Sequence, residues 1–424
     1  MAALQASVGA AAVMLEGVWN QPQLLVEKDS KLDALISSSG KATKVSEHSY
    51  RVTFQDSLPA VRSAIALDAS TNYPAPGSPD WQYGIMQPVS WTVAVGWTEL
   101  ADITTNSSML AVVNVVDKTM RGATEQIKLT RDESLCAGDG FGYWGTISAT
   151  TAGANGTYTM SAADFGARLF DKGNNVDVYN NLAYVGTSNV TAVQKQIGGT
   201  QILTVDNAVA GGNTIRFGGL VSNSPQFVYG FPYWNNNSAT GMTIGIDRTQ
   251  AANNFILSNG VAAGGSSLTP PLFRLGLDQI IHSIGEDAVK AGKFKMHMAP
   301  GQQAQYEQSG LSLTNFWRDN GTVGSGFDLL TTGDMKVAGN IFIKNIHGNI
   351  SRVEFLNLET WGKIRWGDAP FWINDQGRTI FRQVGTNGQP TSVMSSFMVD
   401  TVQYFVANPK TQSYISGLPT PAGY

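Results

Sequence analysis

Charge is scarce in this 424-residue chain: Asp, Glu, Lys and Arg together make up 14% of it, against roughly 25% in an average soluble protein. Basic and acidic side chains number 28 and 32, a net charge of −4. No chain-wide basic field therefore exists to draw in nucleic acid, and any contact with a genome must be local or weak. Cysteine is nearly absent. Cys136 alone excludes an intrachain disulfide framework and a multi-cysteine zinc site, and its expected role is that of a small hydrophobic filler. The 4 histidines, His48, His282, His297 and His347, are scattered, without the spacing that sets two imidazoles on one metal. No Lys or Arg precedes Lys28, so the apolar stretch from Met1 to Leu15 lacks the basic region of a secretory signal. No run reaches the ~18 apolar residues of a membrane span. A soluble protein assembled in a reducing cytoplasm is expected.

Catalytic patterns are missing as well. Neither a G-x-S-x-G nucleophile elbow nor a phosphate-binding G-x-x-x-x-G-K-[ST] loop occurs. Gly140, Gly142 and Gly145 in DGFGYWG do match G-x-G-x-x-G, but a dinucleotide site needs a strand before that motif and a helix after it. Here a long helical pattern precedes it and TISATTAGANG follows, so it reads as a helix-ending turn. Glu286 and Asp287 are adjacent and diverge by ~100° on a helix, which suits a solvated face and not an acid/base pair. Lys28, Lys31, Lys41, Lys44 and Arg51 are interleaved with Glu27, Asp29, Asp33 and Glu47, the texture of a solvated or inter-subunit face. No catalytic residue, cofactor or metal is expected.

What the chain has instead is neutral polarity: Ser, Thr, Asn, Gln and 46 glycines keep its surface wet. Such compositions occur in proteins covered by neighbouring copies of themselves, and also in extracellular β-rich proteins. Through about Lys44 little could form a core, and the segment reads as an arm. From Ser49 to Phe54, Tyr50, Val52 and Phe54 fall on one face, a strand signature. Val89, Trp91, Val93, Val95 and Trp97 alternate with small polar residues, the expected return strand of a long hairpin. Between them, Pro74, Pro76, Gly77 and Pro79 prevent regular pairing. The expected tip carries Tyr73, Pro74, Pro76, Trp81 and Tyr83, an apolar load that normally marks a partner surface. From Glu99 to Leu129, Leu100, Ile103, Leu110, Val113, Met120, Ala123 and Ile127 form one stripe of a long amphipathic helix that ends before Gly138. Short strands and Gly/Asn turns follow, with a hairpin expected around Gly198-Gly199. A second helix is expected from Leu272 to Gly292, with Leu272, Leu275, Ile280, Ile284 and Ala288 inward. Strand texture returns at Ile341 to Ile346, Phe371 to Asp375 and Val399 to Pro409. No repeat of fixed period is visible, against a solenoid or a tandem fibre.

This order, a polar arm, a long Pro- and Trp-bearing hairpin, a long helix, the glycine stop CAGDGFGYWGTI and then mixed α/β, resembles the major capsid proteins of tailed bacteriophages. The ending FVANPKTQSYISGL is similar to the Asn-Pro-bearing end of many such coats. The resemblance implies the α+β Hong Kong 97-like capsid fold: N-terminal arm (1–48), extended β-hairpin loop (49–98), spine helix (99–137), the rest of the peripheral domain with a small β-region (138–220), axial domain (221–385) and a C-terminal return (386–424). It implies self-assembly into hexamers and pentamers of an icosahedral head around double-stranded DNA. Portal, scaffolding and possible decoration proteins would be partners, and Tyr73, Pro74, Pro76, Trp81 and Tyr83 inter-subunit contacts. The chain lacks the long charged, coiled-coil-like N-terminal extension that serves some members as a fused scaffold, which implies a separate scaffold or completed processing. An encapsulin-like compartment shell and a β-rich tail or receptor-binding protein are the alternatives; the latter would lack the long helix.

Overall fold

The computed structural model describes residues 5–6, 31–36, 42–46, 49–55, 81–99, 115–195, 200–218, 227–289, 294–314, 336–337, 340–365, 370–374, 378–385 and 387–421. Its organising element is the 17-residue strand Pro390–Val406. On one side this strand pairs antiparallel with Val89–Thr98, from Val393↔Thr98 to Val402↔Val89. On the other it pairs in succession with Phe381–Val384, Phe371–Trp372 and Trp361–Arg365. The expected alternation along Val89–Thr98 holds: Trp91, Val95 and Trp97 are buried. Val95 and Trp97 pack against Ala123 of the long helix.

The expected partner of Tyr50–Gln55 was the strand from Val89. The structure corrects this. Tyr50–Gln55 pairs with Trp81–Met86, from Tyr50↔Met86 to Gln55↔Trp81, and Ala42–Lys44 adds a third strand. Pro88, which has no amide hydrogen to give to a ladder, lies between Trp81–Met86 and Val89–Thr98. WQYGIM has a period of two of its own, hidden in sequence by the prolines before it. Gly84 and Met86 face inward and Trp81, Tyr83 and Ile85 outward. The inner face is closed by the chain's own residues 244–255: Phe54 meets Phe255 at 5.8 Å, Gln82 Nε2 donates to Asn253 Oδ1 at 3.0 Å, and a Cβ at Gly84 would collide with Ile244. This part of the hairpin is thus seated on its own subunit. Tyr73, Pro74 and Pro76 lie outside the described residues.

The long helix is described over Val115–Ala137, 23 residues; Leu100, Ile103, Leu110 and Val113 lie outside the described residues. Ala123 and Ile127 are buried as the stripe requires, and residues 131–137 are buried all round. Gly138 closes the helix through its amide, which donates to Ser134 O at 2.7 Å. Gly140 (φ 86) and Gly142 (φ 78) then take the left-handed backbone open to glycine. Asp139 holds the turn by accepting from the amides of Phe141 and Tyr143. The motif therefore joins a helix to a strand, the reverse of a dinucleotide-binding order.

Beyond the turn, Tyr143–Thr151, Thr157–Met160, Asn175–Asn180, Ala183–Gln194, Ile202–Val205 and Thr214–Phe217 close into a barrel. The expected hairpin is part of it, with Val193↔Leu203 and Gln194↔Ile202 in register; Gly198 and Gly199 themselves lie outside the described residues. Tyr158, Val176, Val178, Leu203, Val205 and Ile215 fill the interior. Trp144 is wedged edge-on between Phe170 and Phe217. A barrel this small has no lumen, since its inward side chains occupy it.

A second sheet runs in the order Asn259–Ala262, Ser413–Ser416, Arg352–Asn357, Phe294–Met298, Asn340–Lys344, Lys336–Val337. Helix Pro270–Ile284 packs on it, but not in the expected phase. Phe273, Gly276, Leu277 and Ile280 are buried, whereas Leu275 and Ile284 are 44% and 38% exposed. Phe273 sets the phase, its ring 5.0 Å from Phe355 and 5.1 Å from Tyr306. A Cβ at Gly276 would press on Phe355. The helix stops at Gly285 (φ 94), and Ala288 belongs to a separate 3-10 turn.

A buried, unpaired charge costs several kcal/mol. Ile127→Asp, at a position 1% exposed, should lower the stability to urea by that order, while Lys128→Asp on the exposed face should change it by about 0.5 kcal/mol or less. Equal urea midpoints for the two variants would place Ile127 off the buried stripe.

Candidate assembly surface

The pairing register fixes which side chains share the outer face of the hairpin sheet. Arg51 stands opposite Ile85 and Thr53 opposite Tyr83. Trp81, Tyr83 and Ile85 lie 56%, 54% and 48% exposed, which makes one apolar row along a single strand. The Arg51 guanidinium sits 4.4 Å from the Tyr83 ring centroid and steadies that ring by a cation–π contact. Such a row on water is unfavourable for a lone subunit and is the usual mark of a surface meant to be covered. Of the sequence-derived contact residues, the structure therefore brings Trp81 and Tyr83 together and adds Ile85.

Beside the row, a cleft of about 390 Å³ opens between Trp81, Gln82 and Tyr83 on one wall and Gly245, Ile246, Asp247, Gln250 and Asn253 on the other. Its polar groups are largely committed to one another. Asp247 accepts from the amide and hydroxyl of Thr249, which holds its carboxyl below the usual range. Asn253 Nδ2 donates to Asp247 O at 2.7 Å. The cleft is aromatic on one side, where Trp81 and Tyr83 line it.

A second cluster lies buried at the end of the long helix. Sequence spacing gave no hint of it, because its members come from separate elements that meet in the fold. Asn345 Nδ2 donates to Asp132 Oδ2 at 2.6 Å and lies 3.5 Å from Cys136 Sγ. Cys136 Sγ is 3.7 Å from His297 Nε2. His347 places Nδ1 3.5 Å from Asp132 and Nε2 3.8 Å from Glu133. Burial, then the negative charge of Asp132, Glu354 and Glu133, pushes the Cys136 thiol well up, so it stays a protonated, unreactive filler at neutral pH. Among the described residues no group of three or more His, Cys, Asp and Glu is arranged to hold a metal ion. Nor is any described helix long and apolar enough to cross a membrane.

His297 makes this cluster sensitive to acid. Burial drives its imidazole down to about 4, with Asp132 opposing and His347 reinforcing the shift. In the unfolded chain the ring takes up its proton near pH 6.5, so the stability gained by keeping it neutral is complete above that pH. It is lost as pH falls from about 6.5 towards 4, a change of about 3 kcal/mol in all. His297→Gln should flatten urea stability across that window relative to the parent chain; parallel profiles would show that His297 is not the titrating group.

No family model matches the sequence, and no curated protein matches it. Solved structures do. The capsid asymmetric unit of cyanophage A-1(L) aligns over 95% of this chain and 96% of that one, with a TM-score of 0.57 at 9% identity. The capsid of the native GTA particle aligns over 95% and 94%, with a TM-score of 0.50 at 7% identity. An encapsulin complex from Synechococcus elongatus reaches a TM-score of 0.46 at 10% identity, too low to carry weight. Over nearly its full length the chain therefore has the fold of the A-1(L) and GTA capsid proteins.

Proposed function

We propose that this chain is the major capsid protein of a tailed phage, built on the Hong Kong 97-like plan, and that its work is assembly and not catalysis. The observation that carries this reading is the match of nearly the whole chain to the A-1(L) capsid subunit. In this plan residues 1–48 are the arm, 49–98 the extended loop, 99–137 the spine helix, 138–220 the peripheral remainder, into which the barrel falls, 221–385 the axial domain and 386–424 the return. Copies associate as hexamers and pentamers of an icosahedral shell around double-stranded DNA, in the virion and, before that, in the host cytoplasm. Portal and scaffolding proteins are its other partners. A net charge of −4 suits a container that touches DNA weakly, since tight binding would need many phosphate-neutralising cations. The 23-residue helix speaks against a β-rich tail or receptor-binding protein.

Trp81 and Tyr83, with Ile85, are the proposed contact between subunits, and Tyr73, Pro74 and Pro76 are proposed to extend it. Each contact is modest, and summing many of them over a closed shell supplies the avidity. The seating of Trp81–Met86 on its own subunit makes point substitution a cleaner test than cutting out the hairpin. The double variant Trp81→Ser, Tyr83→Ser alters exposed positions and should keep the circular dichroism and urea midpoint of the parent. It should fail to give closed shells in negative-stain microscopy under conditions where the parent, with any scaffold it needs, assembles. Normal shells from a folded double variant would remove these rings from the interface.

A further inference from the structure

We propose that residues 31–36 are a separable plug, recognised through the Asp33 carboxylate by a cationic socket that the rest of the chain builds, so that this segment can leave and re-enter while the core stays folded. The socket draws on three distant elements. Strand Trp361–Arg365 supplies Lys363, whose Nζ donates to Asp33 O at 2.6 Å and Oδ1 at 3.2 Å, and Arg365, 3.5 Å from Oδ2. Strand Pro390–Val406 supplies Tyr404, whose hydroxyl donates to Oδ1 at 2.8 Å. The long helix supplies Arg131, 3.5 Å from Oδ2. Leu32 and Ile36, 1% and 2% exposed, flank the carboxylate with apolar side chains, and the Leu32 amide donates to Asp132 Oδ1 at 3.0 Å.

Two features make this a socket with its own demand for a carboxylate and not simply another part of the core. The first is charge. Without Asp33, the cations Arg131, Lys363 and Arg365 face one another with two other buried carboxylates nearby, Asp400, already engaged by Arg131, and Asp132, already accepting from Asn345. Lys363 is 8% exposed and Arg131 5%, so water cannot fully screen the excess. The second is the slightness of the plug. A helix of five residues, Lys31–Leu35, is far below the ~12–15 that stand alone in water. It joins no sheet, and Ala34 and Leu35 face solvent. Its anchorage comes down to two apolar side chains, one carboxylate and a few hydrogen bonds, the kind of unit that opens locally below the global unfolding energy.

Amide hydrogen exchange on the full-length, unassembled chain tests this. In the parent, amides of residues 32–36 should exchange through a local opening well before those of helix Val115–Ala137 beneath them. Asp33→Asn keeps the shape and removes the charge; it should speed exchange at 32–36 at least tenfold and leave the barrel within twofold, while Asp33→Glu should restore part of the protection. A second readout follows Lys363. Freed of its carboxylate and still beside two arginines, its amine should be acylated several-fold faster at pH 8 in Asp33→Asn than in the parent. Unchanged exchange at 32–36 in Asp33→Asn would overturn recognition by charge. Exchange of 32–36 only together with the helix and barrel in the parent, or failure of Asp33→Asn to fold, would overturn separability.

Discussion

Arg131 lies where the long helix crosses the long strand, and its guanidinium meets Asp400 through two nitrogens, one at 2.5 Å. Asp400 is fully buried. Burying such a pair adds little net stability over an apolar contact, but losing one partner leaves a charge stranded in the interior at a cost of several kcal/mol. The pair therefore acts as a registration pin. It fixes how far along the strand Pro390–Val406 the helix may sit, and everything hung on that strand takes its place from there. Val89–Thr98 pairs along one edge and Trp361–Arg365 along the other, and Asp33 is drawn in from the arm by the same arginine. Burial would raise the Asp33 carboxyl, yet Lys363, Tyr404 and Arg131 outweigh it and hold the group below its usual value.

Apart from this pin, much of the interior is joined by neutral amides, which is how a chain with 14% charged residues satisfies its buried polar groups. Gln403 accepts from the amides of Tyr229 and Tyr404 and donates to Phe227 O, stitching residues 227–229 to the long strand. Gln412 accepts from the Asn357 amide and the Trp361 indole and donates to Thr360 and Thr411. Each such side chain meets several main-chain or side-chain partners, so it resists being left unsatisfied and holds its neighbours in one arrangement. The abundance of Asn, Gln, Ser and Thr is in part internal joinery and not solely surface wetting.

The elements legible in sequence were those with one dominant signal. Val89–Thr98 shows because large and small residues alternate without interruption, and the helix end shows because three glycines follow a clear stripe. The partner of Tyr50–Gln55 did not show, since choosing between two strands depends on long-range pairing that no local pattern encodes. Closure of the barrel was hidden for the same reason: each strand is readable, but the ring depends on Thr214–Phe217 finding both Tyr143–Thr151 and Asn175–Asn180. The phase of Pro270–Ile284 was misread because Leu275 and Ile284 are as apolar as the buried positions, and the ring of Phe273 decided the matter. Trp81 and Tyr83 were identifiable by composition alone. Ile85 was missed because the prolines before WQYGIM hid the strand whose period of two sets it in the same row. Asp33, Asp132, His297 and His347 carried no motif, because their meaning lies in partners far away along the chain.

Rigidity inside and apolarity outside are linked. If Trp81, Tyr83 and Ile85 are the proposed contact, they gain by being held in one geometry before a partner arrives, because ordering them at the moment of contact would consume part of the binding energy. The seating of the inner face on Ile244, Asn253 and Phe255, and the Arg51 contact with Tyr83, supply that order in advance. In the proposed shell each contact could then remain weak enough for misplaced copies to detach, while the sum over a closed lattice stays strong. A net charge of only −4 suits the same proposal, since strongly like-charged subunits crowded into a shell would repel one another at every contact.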